Sequence, residues 1–342
     1  METNPTFGLL LIAIGAFASG SFYLPLKYVK NWKWETGWII QGLFAWVLVP
    51  WIVTLITVPH LGQIIGQAPP RSIFLPILLG AGWGIGGLTW GLSNRYLGIG
   101  LGTALPLGFT AALSTLITPV FQGKFSAFVS SEKFGLVLAG IIIALAGIAI
   151  AGYAGHRKET ELNAKTDGQP SEKNFRKGIT VALIAGIMSA CFAFGEASGK
   201  AMVDLAEQYN PGSLWNYNPV YAVLLIGGFL FNFVYCMVLS FQNKSFSDYS
   251  SKEAPLKWNY IFAALAGTIW FTQFIFKGMG TTRLGEFATV SWGVFFSLVV
   301  VFSNLVGILT GEWKGVSRKT RGILFAGLAV LIIAAVLIGM GS

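Results

Sequence analysis

The stretch Leu78-Leu-Gly-Ala-Gly-Trp-Gly-Ile-Gly-Gly-Leu-Thr-Trp-Gly-Leu-Ser-Asn-Arg-Tyr-Leu-Gly98 is apolar and long enough to form a membrane-spanning helix. At about 100° per residue, Trp83, Trp90 and Asn94 share one stripe of that helix. A neighbouring stripe consists of four glycines: Gly80, Gly84, Gly87 and Gly91. Small residues let helix backbones approach closely in lipid. We therefore predict a glycine face for helix packing and a Trp/Asn face for a ligand, with ordinary core packing of the tryptophans as the alternative.

The composition indicates a polytopic membrane protein. Of the 342 residues, 54% are hydrophobic and 11% are charged, which is far from the balance of a soluble domain. A bilayer-spanning helix needs about 20 mainly apolar residues. Ten such runs are present: 7–28, 37–58, 73–95, 99–121, 133–153, 178–202, 217–241, 258–280, 285–309 and 320–340. The net charge of +9 comes from basic residues in short loops between these runs, so we expect a lipid bilayer and no nucleic acid as partner.

The distribution of positive charge predicts the orientation in the membrane. Seventeen of the 23 Lys and Arg residues lie in the loops after spans one, three, five, seven and nine. Positively charged loops remain in the cytoplasm. Both termini are therefore predicted to face the periplasm, with the chain in a bacterial inner membrane.

The two halves of the chain are related to each other. One ungapped shift of 187 residues places Gly80 on Gly267 and Trp83 on Trp270, and it keeps its register across three spans. The only long polar segment separates five spans from five, and an odd number of spans inverts the second half relative to the first. We predict an all-α membrane protein with two inverted five-helix repeats, 1–155 and 178–342, joined by a cytoplasmic linker, 156–177. Alternating-access transporters have this architecture.

Aromatic and amide side chains mark a candidate ligand site. Trp270, Gln273, Phe274 and Lys277 share one face of span eight, the counterpart of the Trp/Asn face in span three. Indole rings pack against the C–H faces of sugars, and amides both donate to and accept from hydroxyls, so the combination suits a neutral polyhydroxylated ligand. Each amide could instead bond between helices. The candidate substrate-binding residues are Trp83, Trp90, Asn94, Trp270, Gln273, Gln41 and Trp292.

Ionisable residues within spans are candidates for proton coupling, because burying a charge in lipid is costly. Glu196 and Lys200 lie four residues apart in span six, in the orientation that favours pairing along a helix. Glu196 could load and release a proton as access alternates, or the two residues could form a purely structural pair near the membrane surface. Glu286, which follows Arg283 at the start of span nine, has the same two interpretations.

Catalysis is not expected from this sequence. His60 and His156 have no neighbouring Cys, Asp or Glu at metal-ligand spacing. The glycine-rich run lacks the Gly-Lys-Ser/Thr that a phosphate-binding loop requires. We therefore expect no enzyme activity, no metal and no cofactor.

Several motifs carry a resemblance to a known family. The longest is Phe22-Tyr-Leu-Pro-Leu-Lys-Tyr-Val-Lys-Asn-Trp-Lys-Trp-Glu-Thr36, and shorter ones are Trp46-Val-Leu-Val-Pro-Trp51, Trp83-Gly-Ile-Gly86, Arg95-Tyr-Leu-Gly98, Trp270-Phe-Thr-Gln-Phe274, Ser291-Trp292 and Glu312-Trp313. Across essentially all ten spans the chain resembles the bacterial L-rhamnose/proton symporter family of the drug/metabolite transporter superfamily. It departs from the enteric pattern near span nine, where an acidic residue is replaced by Ala288 and the nearest carboxylate belongs to Glu286.

The resemblance implies uptake of L-rhamnose or a similar 6-deoxy sugar, driven by the proton gradient across the inner membrane. The aromatic and amide candidates would then surround the sugar, and Glu196 or Glu286 would take the proton. Two other functions remain open. A drug or metabolite exporter of the same superfamily would be expected to carry an unpaired carboxylate deep in an apolar cavity, and a membrane sugar sensor would be expected to carry a soluble output domain.

Overall fold

The computed structural model describes residues 4–97, 99–121, 123, 125–132, 134–163, 175–285, 288 and 291–340. Within these ranges the chain is helical and contains no β-strand. Nine helices among the described residues are long and apolar enough to cross a membrane. The chain is therefore an all-α, multi-pass membrane protein, as its composition predicted.

The helices follow one another with short connections. In chain order they are α1 (Pro5–Ser21), α2 (Trp34–Leu43), α3 (Val49–Thr57), α4 (Leu61–Gln67), α5 (Pro70–Leu97), α6 (Ile99–Phe121), α7 (Phe125–Val129), α8 (Phe134–Asn163), α9 (Phe175–Ser198), α10 (Lys200–Tyr209), α11 (Asn218–Asn243), α12 (Leu256–Leu284), α13 (Ser291–Leu309) and α14 (Arg318–Met340). A π-helical turn, Phe44–Leu48, joins α2 to α3. The fourth predicted span coincides with α6, in which the described apolar stretch is the shorter Leu105–Ile117.

The chain divides into two compact units. The first unit comprises Met1–Gly84 and Ser198–Arg283, and the second comprises Ile85–Ala197 and Leu284–Ser342. Each unit thus takes residues from both halves of the chain, and the unit boundaries fall inside α5, before the last residue of α9 and before the last residue of α12.

Glycines bring α5 and α11 into close contact in the first unit. A Cβ atom added at Gly80 would lie 2.0 Å from the carbonyl oxygen of Leu224, and one added at Gly84 would lie 3.2 Å from that of Gly228. The predicted glycine face is therefore a packing surface at these two positions. Gly87 differs, because a Cβ there would meet no heavy atom of the described chain within 4 Å.

This difference predicts opposite effects of the same substitution. Gly80→Ala forces α5 and α11 apart and should destabilise the protein by about 1–3 kcal/mol or more, seen as a lower melting temperature. Gly87→Ala should leave stability equal or raise it by up to about 1 kcal/mol, because alanine favours the helix. Thermal melts of both purified variants measure this. A Gly80→Ala protein as stable as the Gly87→Ala protein would contradict the close packing.

In the second unit, α8 packs along α14. Gly140 and Gly147 of α8 admit two side chains of α14, since a Cβ at Gly140 would lie 2.6 Å from Cγ1 of Ile338 and one at Gly147 would lie 2.8 Å from Cγ of Leu331. Helix α8 also continues to Asn163. The first residues of the predicted linker therefore extend a helix, and residues 164–174 lie outside the described part of the chain.

The sixth predicted span is interrupted. Helix α9 ends at Ser198, and α10 begins at Lys200 with Gly199 as its N-cap. Gly199 accommodates a neighbour, because a Cβ at this position would lie 2.7 Å from Cγ1 of Val220. The predicted span 178–202 lies within the candidate membrane span Arg176–Tyr209, and the turn at Gly199 is a feature that the apolar pattern of the sequence did not indicate.

Candidate functional site

Three tryptophans meet inside the first unit. The ring centroids of Trp83 and Trp270 are 5.5 Å apart at an interplanar angle of 35°. Trp46 stands edge-on to both, 5.8 Å from Trp83 at 86° and 5.8 Å from Trp270 at 85°. The two tryptophans that the 187-residue shift relates in sequence are therefore direct neighbours. We call Trp46, Trp83 and Trp270 the tryptophan cluster.

The local sequence explains how Trp46 enters this cluster. Pro50 has no backbone N–H and cannot bond to the carbonyl of Trp46, four residues earlier. The chain passes through the π-helical turn Phe44–Leu48 at this point, and Trp46 is only 3% exposed. Gly42 makes room for its indole, because a Cβ there would lie 2.5 Å from the ring. π-helical turns inside α-helices recur at functional sites.

Gln41 is the most unusual polar residue of this region. Its side chain is fully buried, and neither Oε1 nor Nε2 has a hydrogen-bond partner among the described residues. The indole Nε1 of Trp46 is likewise buried and unpartnered within the described chain. Gly267 of α12 lies directly against this segment, with its added Cβ 2.3 Å from the Gln41 carbonyl oxygen. Buried amides without partners cost about 1–3 kcal/mol each, so a ligand with hydroxyl groups would compensate for them.

A line of indoles continues from the cluster along α2. Trp38 lies 5.9 Å from Trp46, and Trp34 stacks on Trp38 at 5.1 Å. The Nε1 of Trp38 donates to Oδ1 of Asn232 on α11 at 3.2 Å. Trp34 is 47% exposed and Trp46 is 3% exposed, so the line runs from the surface of the first unit to the buried member of the cluster.

The other predicted residues of α12 lie beside the cluster. Gln273 is 4% exposed, and its Nε2 donates to the carbonyl oxygen of Trp270 on the same helix at 2.8 Å. Lys277, one turn further on, is fully buried, with its Nζ 5.7 Å from the centroid of the Tyr217 ring. The face predicted from spacing is therefore an interior face of the first unit.

The second unit buries a carboxylate. Glu196 of α9 is 7% exposed, and Trp292 of α13 is 2% exposed. The Nε1 of Trp292 donates to Oε1 of Glu196 at 3.3 Å. Phe192 and Phe296 flank the indole at 5.6 and 5.4 Å. The Glu196 carboxylate therefore lies in a buried position beside an indole that two aromatic rings flank.

Comparison with known proteins identifies the family of the whole chain. A family model described as L-rhamnose-proton symport protein (RhaT) matches residues 1–342. The chain belongs to this family. An L-rhamnose-proton symporter of Yersinia pestis (strain Pestoides F) is 35% identical over 345 residues, covering 100% of this chain and 99% of that protein. A protein of the same description from Yersinia pseudotuberculosis serotype O:3 (strain YPIII) has the same identity and coverage. These relatives are transporters and not enzymes, as expected for this chain.

The remaining predicted residues of this RhaT family member have other described neighbours or lie outside the described part of the chain. Lys200 pairs with Asp204 at 2.5 Å, one turn further along α10. The sequence prediction considered Glu196, and not Asp204, as the partner of Lys200. Trp90 packs against the core of the second unit. Asn94 belongs to α5, but its side chain lies outside the described part, and Glu286 lies outside the described residues.

Trp34, Trp38 and Trp46 of the indole line were all missed as candidates. Trp46 and Trp38 occur in spans where aromatic residues are common, and neither shares a sequence stripe with Trp83 or Trp270. A usable signal for Trp46 is its position four residues before Pro50, because a proline there removes the hydrogen bond to the Trp46 carbonyl and favours local widening of the helix.

Proposed function

We propose that the protein imports L-rhamnose, or a similar 6-deoxy sugar, together with protons across the bacterial inner membrane. Family membership over the whole chain supports both the sugar and the coupling ion. The proton gradient supplies the energy, and no cofactor takes part. Both termini face the periplasm in this proposal, as the positive charge of the alternate loops favours.

The observation that carries the sugar site is the fully buried amide of Gln41, beside the tryptophan cluster, which has no hydrogen-bond partner among the described residues. The sugar packs a C–H face on the indoles of Trp83 and Trp270, while its hydroxyls donate to Oε1 and accept from Nε2 of Gln41. The Nε1 of Trp46 supplies a further donor. Gln273, adjacent on α12, shapes the same interior.

An inverted repeat of ten helices, 1–155 and 178–342 around the linker 156–177, accounts for this arrangement. Span three packs on span seven at Gly80 and Leu224, and span eight packs on span two at Gly267 and Gln41. An approximate two-fold axis exchanges these contacts, because it relates span two to span seven and span three to span eight. Trp46 meets the related Trp83 and Trp270 at equal distances, which supports the same symmetry.

We assign proton coupling to Glu196, which Trp292 holds in the interior of the second unit. A carboxylate that alternates between water-exposed and buried states changes its protonation with access. Glu286 is the second candidate. An exporter is not favoured, because the relatives are described as rhamnose-proton symporters and the cluster pairs indoles with amides, which suits a neutral solute.

Uptake of labelled L-rhamnose into proteoliposomes tests the proposal. An inward proton gradient should drive accumulation, and an uncoupler should abolish it. Sugar flux that is independent of the gradient would remove proton symport from the proposal. Absence of any rhamnose flux in a folded, correctly inserted protein would remove the substrate.

The tryptophan cluster predicts a specific pattern of mutational effects. Trp270→Ala and Trp83→Ala should each lower rhamnose uptake at least about tenfold, because the sugar loses an aromatic face, and Trp270→Phe should recover part of the loss. Trp258→Ala on the same helix is the matched control, since Trp258 is 55% exposed and lies outside the cluster. Equal uptake by all four variants, normalised to inserted protein, would show that the cluster serves helix packing and does not bind the sugar.

A further inference from the structure

A cavity lies entirely within the second unit. It encloses about 280 Å³ between α6, α8, α13 and the turn that follows α13. Its walls include Lys158, Glu159, Asn304, Glu312 and Trp313. Pockets for drug-sized ligands span roughly 300–1,000 Å³, so this cavity suits a smaller molecule of about monosaccharide size.

Polar atoms converge on one glycine in the wall of this cavity. A Cβ added at Gly307 would lie 3.1 Å from Oε2 of Glu312 and 3.5 Å from Nε1 of Trp313. The Nζ of Lys158 is 3.7 Å from the same Glu312 oxygen and 4.8 Å from the centroid of the Trp313 ring. The absence of a side chain at Gly307 thus admits the Glu312 carboxylate, which in turn adjoins the Lys158 ammonium.

The turn that carries these groups is firmly anchored. Gly311 adopts a left-handed conformation with φ of +81°, and the N–H of Glu312 donates to the carbonyl oxygen of Gly307 at 2.9 Å, which is the pattern of a Schellman cap. Beyond it, the backbone N–H and hydroxyl of Ser317 donate to Glu161 of α8 at 2.7 and 2.8 Å. The polar wall is therefore held in place by α8 and the start of α14.

The chemistry of the wall points to a neutral polyol. The Lys158 ammonium adjoins the Glu312 carboxylate, so the pair offers a donor and an acceptor with no net charge. Adjacent hydroxyls of a sugar can donate to a carboxylate while accepting from an ammonium or an indole N–H, and such charge-assisted bonds are strong. Apolar residues of the same wall supply surface for the C–H groups of the sugar. Trp90 packs against the hydrophobic core that includes Trp313.

We infer that this cavity is a second binding site for the transported sugar, distinct from the tryptophan cluster. The inference rests on the proposed function, because it takes the same ligand class. Lys158, Glu312 and Asn304 provide its hydrogen bonds, and Trp313 closes its apolar side. The site lies beside the C-terminal end of α8. The distribution of positive charge among the loops favours a cytoplasmic position for this end.

Equilibrium binding of labelled L-rhamnose to the purified full-length protein tests this second site. The wild type should bind two sugars per chain, Gln41→Leu about one, Lys158→Met about one, and the double variant none. Asn304→Leu provides an independent disruption of the cavity and should match Lys158→Met. Lys314→Met is the control, since Lys314 lies in the same turn but is exposed and outside the cavity wall, and it should bind two.

The outcomes separate the second site from the proposed function. A wild type that transports rhamnose but binds one sugar per chain, lost completely in Gln41→Leu, would overturn the second site alone. A folded wild type that neither binds nor transports rhamnose would instead overturn the proposed function. Inorganic phosphate serves as the anionic probe, and binding of phosphate without rhamnose in the Gln41→Leu protein would also overturn the assignment to a neutral sugar.

Discussion

Gln41→Leu should lower the kcat/KM of proton-driven rhamnose uptake at least about 100-fold while leaving the melting temperature equal or higher. Leucine cannot form the hydrogen bonds that the amide offers to sugar hydroxyls. Loss of a hydrogen bond between a binding site and a substrate hydroxyl lowers kcat/KM strongly. The stability effect has the opposite sign, because the substitution removes two buried polar atoms that lack protein partners within the described chain. Proteoliposome uptake and thermal melts of the same preparation measure both quantities.

Gln63→Leu is the matched control for this prediction. Gln63 is an exposed glutamine of the short helix α4, so the same chemical change there should leave uptake unaltered. A structural amide at position 41 would give a different result: Gln41→Leu would then lower the melting temperature and reduce uptake only in proportion to the lost protein. That outcome would show that Gln41 stabilises the packing of helices and does not bind the sugar.

Glu196→Gln should abolish accumulation of rhamnose against its gradient while preserving exchange of labelled for unlabelled sugar. Glutamine has nearly the same shape, and its Oε1 can still accept from Trp292, so the interior of the second unit stays intact. It cannot take up a proton in the working pH range, so sugar movement loses its coupling. We expect the gradient-driven accumulation ratio to fall at least about tenfold, to near unity, an effect of about 1.4 kcal/mol or more.

Glu132→Gln provides the control for the carboxylate, because Glu132 is exposed in the loop before α8. It should accumulate rhamnose as the wild type does. Full accumulation by Glu196→Gln would clear Glu196 of the coupling role and leave Glu286→Gln as the next variant to measure. Loss of exchange together with accumulation would indicate that Glu196 supports the fold or the sugar path instead.

Much of the helical arrangement is readable from local sequence. Apolar length placed nine of the ten spans on described helices that are long and apolar enough to cross a membrane, because a membrane demands about 20 apolar residues whatever the neighbours are. The glycine stripe of α5 was predicted correctly at Gly80 and Gly84, since only small residues permit backbone contact. The same rule failed at Gly87, where the periodicity continues but no described neighbour comes close.

The candidate site was only partly predictable. Spacing identified Trp83 and Trp270, because the repeat pairs them, and it marked Gln41 as one amide among several. It did not show that the Gln41 amide lacks a partner among the described residues, whereas Oδ1 of Asn232, another amide within a span, accepts from Trp38 at 3.2 Å. Whether an amide is bonded depends on residues about 200 positions away in sequence, and periodicity within one helix carries no information about them.

The sequence by itself determined that this chain is a multi-pass membrane protein with paired tryptophans and few buried charges, because lipid restricts each span independently of the others. Only the tertiary structure decided that a π-helical turn brings Trp46 against both Trp83 and Trp270, that Gln41 stays unbonded among the described residues, and that Trp292 holds Glu196. Those three facts depend on which helices touch, and contact between helices is set by shape complementarity along their whole length.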